Sequence, residues 1–493
     1  MRVVFADINN IKGKLNRYFS KCIGAGRAAE VMRYRAFEQL KQIQRECPFE
    51  YIRFHGLFHE EMAITTRNQE GKLCFNFQYV DLLFDSLLEI GIRPIVELGL
   101  MPDVMGNEEK YVFRWKMNKT PPKEISEWSQ LIEETVRHFT YRYGEEEVKK
   151  WYFEVWNEPN HPSFFSENKN IDEYFKIYDA AAFAVKSVCC DYKVGGPATA
   201  GLGWIPETIE HCKEHNVPLD FISSHNYCVN GAFDADGKKQ LYILPVEELT
   251  DKIRKRGTLC HNEGYPFIIT EWSASYSPRD RVHDSYFSAP FILEAIKRCE
   301  GSANMLSYWV YTDIFEEIGV PLTPFHGGFG LMNIQSLPKP TYYAYKFLNR
   351  LGDTELLCED KSAYVCKNQD EVQMLVWNLV HPSTEGKSNN VYFGKLLPPK
   401  KMEDIQIELH GLKKCEGYIV TVETIGYKKG DVYSEYLEGN FSELPTREET
   451  KALLERSKPT KIEIKVAADE SGILRLTLPQ TENQVDLVTV KLS

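Results

Sequence analysis

The sequence predicts an α/β fold, a (β/α)8 TIM barrel with a C-terminal β-sandwich domain, from three observations. Short apolar runs alternate with helical stretches from residue 22 to residue 350. Two of those runs end in a glutamate: Trp151-Tyr-Phe-Glu-Val-Trp-Asn-Glu-Pro-Asn160 in Glu158, and Pro266-Phe-Ile-Ile-Thr-Glu-Trp272 in Glu271. After Gly352 the texture changes to short alternating runs, the pattern of a sandwich.

Taken in order, residues 1–15 hold one alternating strand, Arg2 to Ile8, expected to join the sandwich. The barrel is expected over residues 16–350. Its strands are Cys22–Gly26, Phe49–Gly56, Pro94–Leu98, the Glu158 run, Tyr192–Gly196, Leu219–His225, the Glu271 run and Ala303–Tyr311. Helices are expected over 28–46, 79–90, 124–143, 171–188, 205–215, 246–260, 286–299 and 338–350. Val31, Tyr34, Phe37, Leu40 and Ile43 recur every three or four residues, and Gly91 and Gly144 follow two of the helices as C-cap residues. Residues 229–240 are expected as a polar loop. The sandwich fills 351–493, with a loop over 381–400 and a short helix near 446–456 behind Thr446 as cap.

Composition narrows the function. A chain of 493 residues, 43% hydrophobic and 13% aromatic, can bury a large core. A net charge of −12 argues against a nucleic-acid partner. Rings in such number suit stacking on sugars, although most serve packing. The N-terminal apolar run is soon broken by Asp7, Asn9 and Asn10, so no signal peptide is expected, and no run is long enough to span a membrane. Twelve cysteines without a CxxC pair fit reduced thiols, so a cytoplasmic location is expected.

Strand ends on one face of a parallel barrel form the active site. Pro159 stops regular pairing and leaves Asn157 and Glu158 at one tip; Glu271 stands at another, 271 − 158 = 113 residues on. Glycosidic cleavage needs such a pair, one carboxyl group protonated and the other ionised to attack C1 or activate water. A lone strand-end glutamate is more often solvated or salt-bridged. Two of them in aromatic surroundings, one beside an asparagine able to bond a sugar hydroxyl, favour chemistry. His55, His225 and Trp309 fall at other strand ends.

Other signals are weak. Gly24-Ala-Gly26 lacks the third glycine of a dinucleotide loop, and His326-Gly-Gly-Phe-Gly330 has no G-x-S-x-G elbow to serve. His55 and His59 follow a strand, so helical zinc spacing does not apply. No metal and no cofactor are expected.

The Trp156-Asn-Glu-Pro-Asn160 and Ile269-Thr-Glu-Trp272 stretches resemble the acid/base and nucleophile strands of the retaining (β/α)8 glycosidases. With Gly24–Ala28, Tyr51–Leu57, Thr120-Pro-Pro122, Gly195–Gly201 and Phe325–Leu331, the chain resembles glycoside hydrolase family 39, the family of β-xylosidases and α-L-iduronidases. The resemblance implies Glu158 as acid/base and Glu271 as nucleophile. It also implies Asn157 on the sugar 2-hydroxyl, His225 and Tyr227 near nucleophile and sugar, and Trp309 as a wall. Glu316 and Glu317 would grip hydroxyls, with His55 on the rim and Phe113 and Phe165 at the entrance. The implied activity is a retaining, exo-acting β-xylosidase on short xylo-oligosaccharides, in a homotetramer. An α-L-iduronidase, a β-glucosidase-like enzyme or a non-catalytic carbohydrate-binding protein is the alternative.

Overall fold

The structure is a computed structural model that describes residues 2–165, 170–233, 238–439 and 441–492. Eight parallel strands close into a barrel: Cys22–Arg27, Tyr51–His55, Arg93–Leu98, Tyr152–Val155, Lys193–Thr199, Phe221–Tyr227, Phe267–Ser273 and Met305–Tyr308. We call them barrel strands one to eight. Each is followed by a crossover helix, from Tyr34–Glu46 after strand one to Pro340–Arg350 after strand eight. The (β/α)8 expectation therefore holds. The first helix is in two pieces, Ala28–Val31 and Tyr34–Glu46, rather than one over 28–46.

Strand parity builds the barrel. Successive side chains point to opposite faces. Ile52, Phe54, Val96, Leu98, Phe153, Val155, Ile222, Ile269 and Leu306 belong to the large core under the helices. Cys22, Tyr51, Ile95, Phe221, Ile268 and Met305, with Tyr152 beside them, form a separate apolar cluster. Residues from seven different strands can meet only in the barrel interior, so this cluster is its floor.

Beyond the barrel a three-stranded sheet (Arg2–Asp7, Ile405–His410, Leu474–Leu478) faces a seven-stranded one. Val4, Ala6, Ile405, Ile407 and Leu409 of the first pack with Val365, Met374, Val376, Val420 and Val488 of the second. Arg2–Asp7 pairs in parallel with Ile405–His410. Helix Arg447–Arg456 is capped by Thr446, whose hydroxyl receives the Glu449 N–H while the Glu449 carboxylate returns to the Thr446 N–H.

Two expected loops carry structure instead. Residues 229–240 contribute to a β-hairpin, Val229–Phe233 against Lys239–Ile243; positions 234–237 of the expected loop lie outside the described residues. Gly231 and Lys239 interrupt the apolar positions Val229, Phe233, Leu241 and Ile243, so the run lacks the regular alternation that marks a strand in sequence. Within 381–400 a helical turn, Asn389–Tyr392, braces that hairpin: Asn389 Oδ1 accepts the Ile243 N–H at 2.7 Å, and its amide donates to Asp280 at 2.9 Å.

Candidate active site

Two residues above the apolar floor the interior turns polar. Arg53 of strand two is fully buried, and its guanidinium radiates to four acceptors. Nε donates to Glu154 at 2.8 Å, Nη1 to Glu271 Oε1 at 2.5 Å, and Nη2 to Asn157 Oδ1 at 2.9 Å; Nη2 also lies 2.7 Å from Glu97. Thr270 donates to the other oxygen of Glu154 at 2.8 Å. A buried guanidinium needs this many acceptors to offset its desolvation. The donor-only fork also fixes the Asn157 amide with its oxygen toward Arg53, which leaves the NH2 as the group it can offer a ligand.

The tip of strand four is not extended. Trp156 and Glu158 have φ of +72° and +45°, a left-handed backbone that non-glycine residues rarely adopt and that concentrates at functional sites. Neighbours hold it: the Trp156 N–H donates to the Leu98 carbonyl at 2.9 Å and the Glu158 N–H to the Ala198 carbonyl at 2.8 Å. Trp156 itself packs outward, on Trp128 and Phe165. The irregular turn lets Asn157 and Glu158 both face inward.

One carboxylate oxygen of Glu158, one of Glu271 and a ring nitrogen of His225 lie within 4.8 Å of one another. His225 Nδ1 is hydrogen-bonded to Glu158 Oε1 at 2.9 Å, and Tyr227 donates its hydroxyl to Glu271 Oε2 at 2.7 Å. The two carboxyl groups meet different fields. Burial, then the Glu271 charge, pushes Glu158 well above the usual carboxylate range. Burial also raises Glu271, but Arg53, His55 and the Tyr227 hydroxyl oppose it. The first proton taken up by the pair therefore belongs on Glu158. His225 is pushed far down by burial and by Arg53, so its ring is neutral. His55 is pushed down to about 3 for the same two reasons, and its Nδ1 is bonded to Glu97 at 2.7 Å.

Both glutamates open on a cavity of about 620 Å³, within the range of small-molecule sites. Asn157, Tyr227, His55, Trp309 and Glu317 line it as well. Trp309 comes close because strand one carries Gly24 beneath it, where a Cβ would stand 2.5 Å from the indole. His225 is behind the surface, under Glu158.

Three expected positions fall elsewhere. Phe165 is buried against Trp156 and Tyr174, and its neighbour Phe164 lines the cavity instead. The irregular tip shifts which of the two rings turns inward. Phe113 stacks on His55 and Trp115, with ring centres 5.6 and 4.9 Å away, and supports the wall from outside. Glu316 is held away from the cavity by Arg33 (2.5 Å) and Arg27 (3.3 Å), two cations that compete successfully for it. Arg53, Phe164 and Tyr276 were not read from the sequence as site residues. For Arg53 the signal was present: a charge inside Tyr-Ile-Arg-Phe-His, as with Glu97 in Ile-Val-Glu-Leu and Glu154 in Tyr-Phe-Glu-Val.

A parallel barrel with two close carboxyl groups at its mouth, one driven toward its acid form and one held by cation and hydroxyl, defines a glycoside hydrolase. Similarity narrows this further. Residues 2–475 match the sequence pattern of Glycosyl hydrolases family 39, and the chain belongs to that family. It is 38% identical to a β-xylosidase of Caldicellulosiruptor saccharolyticus, over 97% of this chain and 96% of that one. It is 33% identical to a β-xylosidase of Geobacillus stearothermophilus, over 100% and 96%. Among solved structures it is similar to a monomeric β-xylosidase from Caulobacter crescentus CB15, with a TM-score of 0.94, 36% identity and complete coverage of both chains.

Proposed function

We propose that the chain is a retaining β-xylosidase that releases xylose from the non-reducing end of short xylo-oligosaccharides. The observation that carries the retaining mechanism is the spacing. The approach of Glu158 and Glu271 oxygens to within 4.8 Å suits the roughly 5–5.5 Å between carboxyl groups of double displacement. Water-activating inversion wants roughly 6.5–9.5 Å.

Glu158 gives its proton to the glycosidic oxygen as the C1–O bond breaks, and Glu271 forms an ester with C1. Water then attacks C1 and passes a proton to Glu158 as the ester bond breaks, and xylose leaves with its configuration retained. Arg53 and Tyr227 keep Glu271 ionised for the first step. The NH2 of Asn157 meets the 2-hydroxyl. The sugar preference rests on the named relatives and on the wall formed by His55, Trp309 and Glu317. Burial and the Glu271 charge push the Glu317 carboxyl well above the usual carboxylate range, and in its acid form it can both donate to and accept from sugar hydroxyl groups.

Glu271→Ala is expected to lower hydrolysis of an aryl β-xyloside by roughly 10⁴–10⁶-fold, the scale on which deletion of a catalytic nucleophile acts. Azide should restore turnover and give the inverted azide product. Undiminished hydrolysis in that variant would end the assignment. Xylotriose should yield xylose and xylobiose first, and aryl α-L-iduronides and β-glucosides should be poor substrates. The homotetramer belongs to the same proposal; a light-scattering mass of one chain, the state named for the Caulobacter enzyme, would remove it. No helix among the described residues is long and apolar enough to cross a membrane, which is compatible with the proposed cytoplasmic location.

A further inference from the structure

The cavity lining divides into two sides. Strand two and the segment after strand eight supply His55, Trp309 and Glu317, while segments after strands four to seven supply Phe164, Ala200, Val229, Lys239 and Tyr276. His55 and Trp309, 2% exposed each, close the first side, whereas Lys239 and Tyr276 are exposed; an exo-acting enzyme takes the terminal sugar into the closed end, so the leaving group lies toward the open second side, a step that rests on the proposed function.

That side is built on the hairpin after strand six. Val229 is opposite Ile243, Gly231 opposite Leu241, and Phe233 opposite Lys239. Cross-strand partners and alternate residues share a face, so Val229, Gly231, Phe233 and Lys239 do. Val229 and Lys239 both line the cavity, which identifies this face as the one turned to the substrate. Tyr276 lies on it: a Cβ at Gly231 would stand 3.3 Å from the Tyr276 hydroxyl and 2.9 Å from Lys239 Cε. The Lys239 ammonium is 4.9 Å from the centre of the Tyr276 ring. Tyr276 in turn meets Tyr227 edge-on at 6.3 Å, and Tyr227 holds Glu271.

The charge of Lys239 is unusual in its setting. Among the described residues it has no carboxylate partner, whereas Lys252, the other lysine of the cavity, is 3.7 Å from Glu248. The chain carries a net charge of −12, and the cavity contains the Glu271 carboxylate. The general field therefore repels anions, and an ammonium fixed on an aromatic ring at the mouth acts locally.

We propose that Lys239, laid over Tyr276, forms a leaving-group subsite for a carboxylate-bearing sugar, so that the enzyme accepts acidic oligosaccharides with a uronic acid unit beyond the scissile bond. The test compares 4-carboxyphenyl and 4-carbamoylphenyl β-xylosides, which differ chiefly in charge. In kcat/KM at low salt, the ratio of charged to neutral substrate should be about three- to fivefold higher in wild type than in Lys239→Met, the scale of a partly exposed ion pair. Lys239→Arg should keep the wild-type ratio, and high salt should erase the difference. The same ratio in wild type and Lys239→Met, or equal losses on both substrates, would overturn the subsite while leaving the glycosidase reading intact. Turnover of neither substrate by wild type would overturn both.

Discussion

Cys22, Tyr51, Ile95, Phe221, Ile268 and Met305 close the floor of the barrel with apolar side chains. Two residues further along the same six strands stand Gly24, Arg53, Glu97, Ser223, Thr270 and Ser307, and with Glu154 of strand four they form a polar layer. All are on the inner face by parity, and both layers are sealed from solvent. The floor is held by packing, which tolerates exchange of one apolar shape for another. The upper layer is held by one cation shared among carboxylates, where loss of any partner leaves a buried charge exposed to a medium that solvates it poorly. The lesson is that Glu158 and Glu271 rest on a charged mount set upon an inert base. Burial pushes the Glu97 carboxyl well above its usual range, with Arg53 opposing, which limits the negative charge that the mount must carry.

The comparison breaks most severely at its centre. Arg53→Met removes the shared cation and should cost about 3–5 kcal/mol of stability, read from urea unfolding, together with most of the activity. A variant as stable and active as wild type would deny the mount its role. Ile95→Ala in the floor should cost about 2–5 kcal/mol by leaving a cavity. Its kcat and pH profile should stay near wild type, and a displaced pH profile would show that the layers are not separate.

Tyr227→Phe should lower kcat/KM by about 10- to 10²-fold, since a hydrogen bond to a charged group contributes roughly 1.5–3 kcal/mol. The sign of its pH effect follows from the side on which the bond acts. The Tyr227 hydroxyl stabilises ionised Glu271, so its loss raises the Glu271 pKa and moves the acid limb of the pH–rate profile to higher pH. The alkaline limb, set by Glu158 losing its proton, should move less. An acid limb that stays in place would show that the hydroxyl does not tune the nucleophile. The smallest effect belongs to Glu316→Gln, whose side chain is engaged by Arg33 outside the cavity. At most about 1 kcal/mol of stability is expected to go, with xyloside kinetics unaltered; a raised KM would place Glu316 in the substrate's path.

The barrel was legible because its signals are local. Each strand is an apolar run, each helix has its own period, and Glu158 and Glu271 end runs that differ from ordinary core strands by their carboxylate. The sandwich strands were legible for the same reason. Phe165 was misplaced because a resemblance carries a position and not the direction of its side chain, and the left-handed turns at Trp156 and Glu158 redirect the chain just before it. Glu316 was misplaced because nothing local reveals that Arg27 and Arg33, almost 300 residues away, claim it. The hairpin that carries Lys239 was missed because its residues alternate too weakly to mark a buried face.

Sequence alone determined the alternation of strand and helix, the two carboxylates and the strand tips that bear them, since periodicity and chain-local residue choice encode these. Tertiary structure decided how the two carboxyl groups differ, Glu158 being pushed further toward its acid form than Glu271. That distinction depends on Arg53 and Tyr227 reaching Glu271 while His225 lies beneath Glu158, contacts between strands two, four, six and seven. A carboxyl pKa is set by the field of everything packed around it, and that field exists only once the barrel has closed.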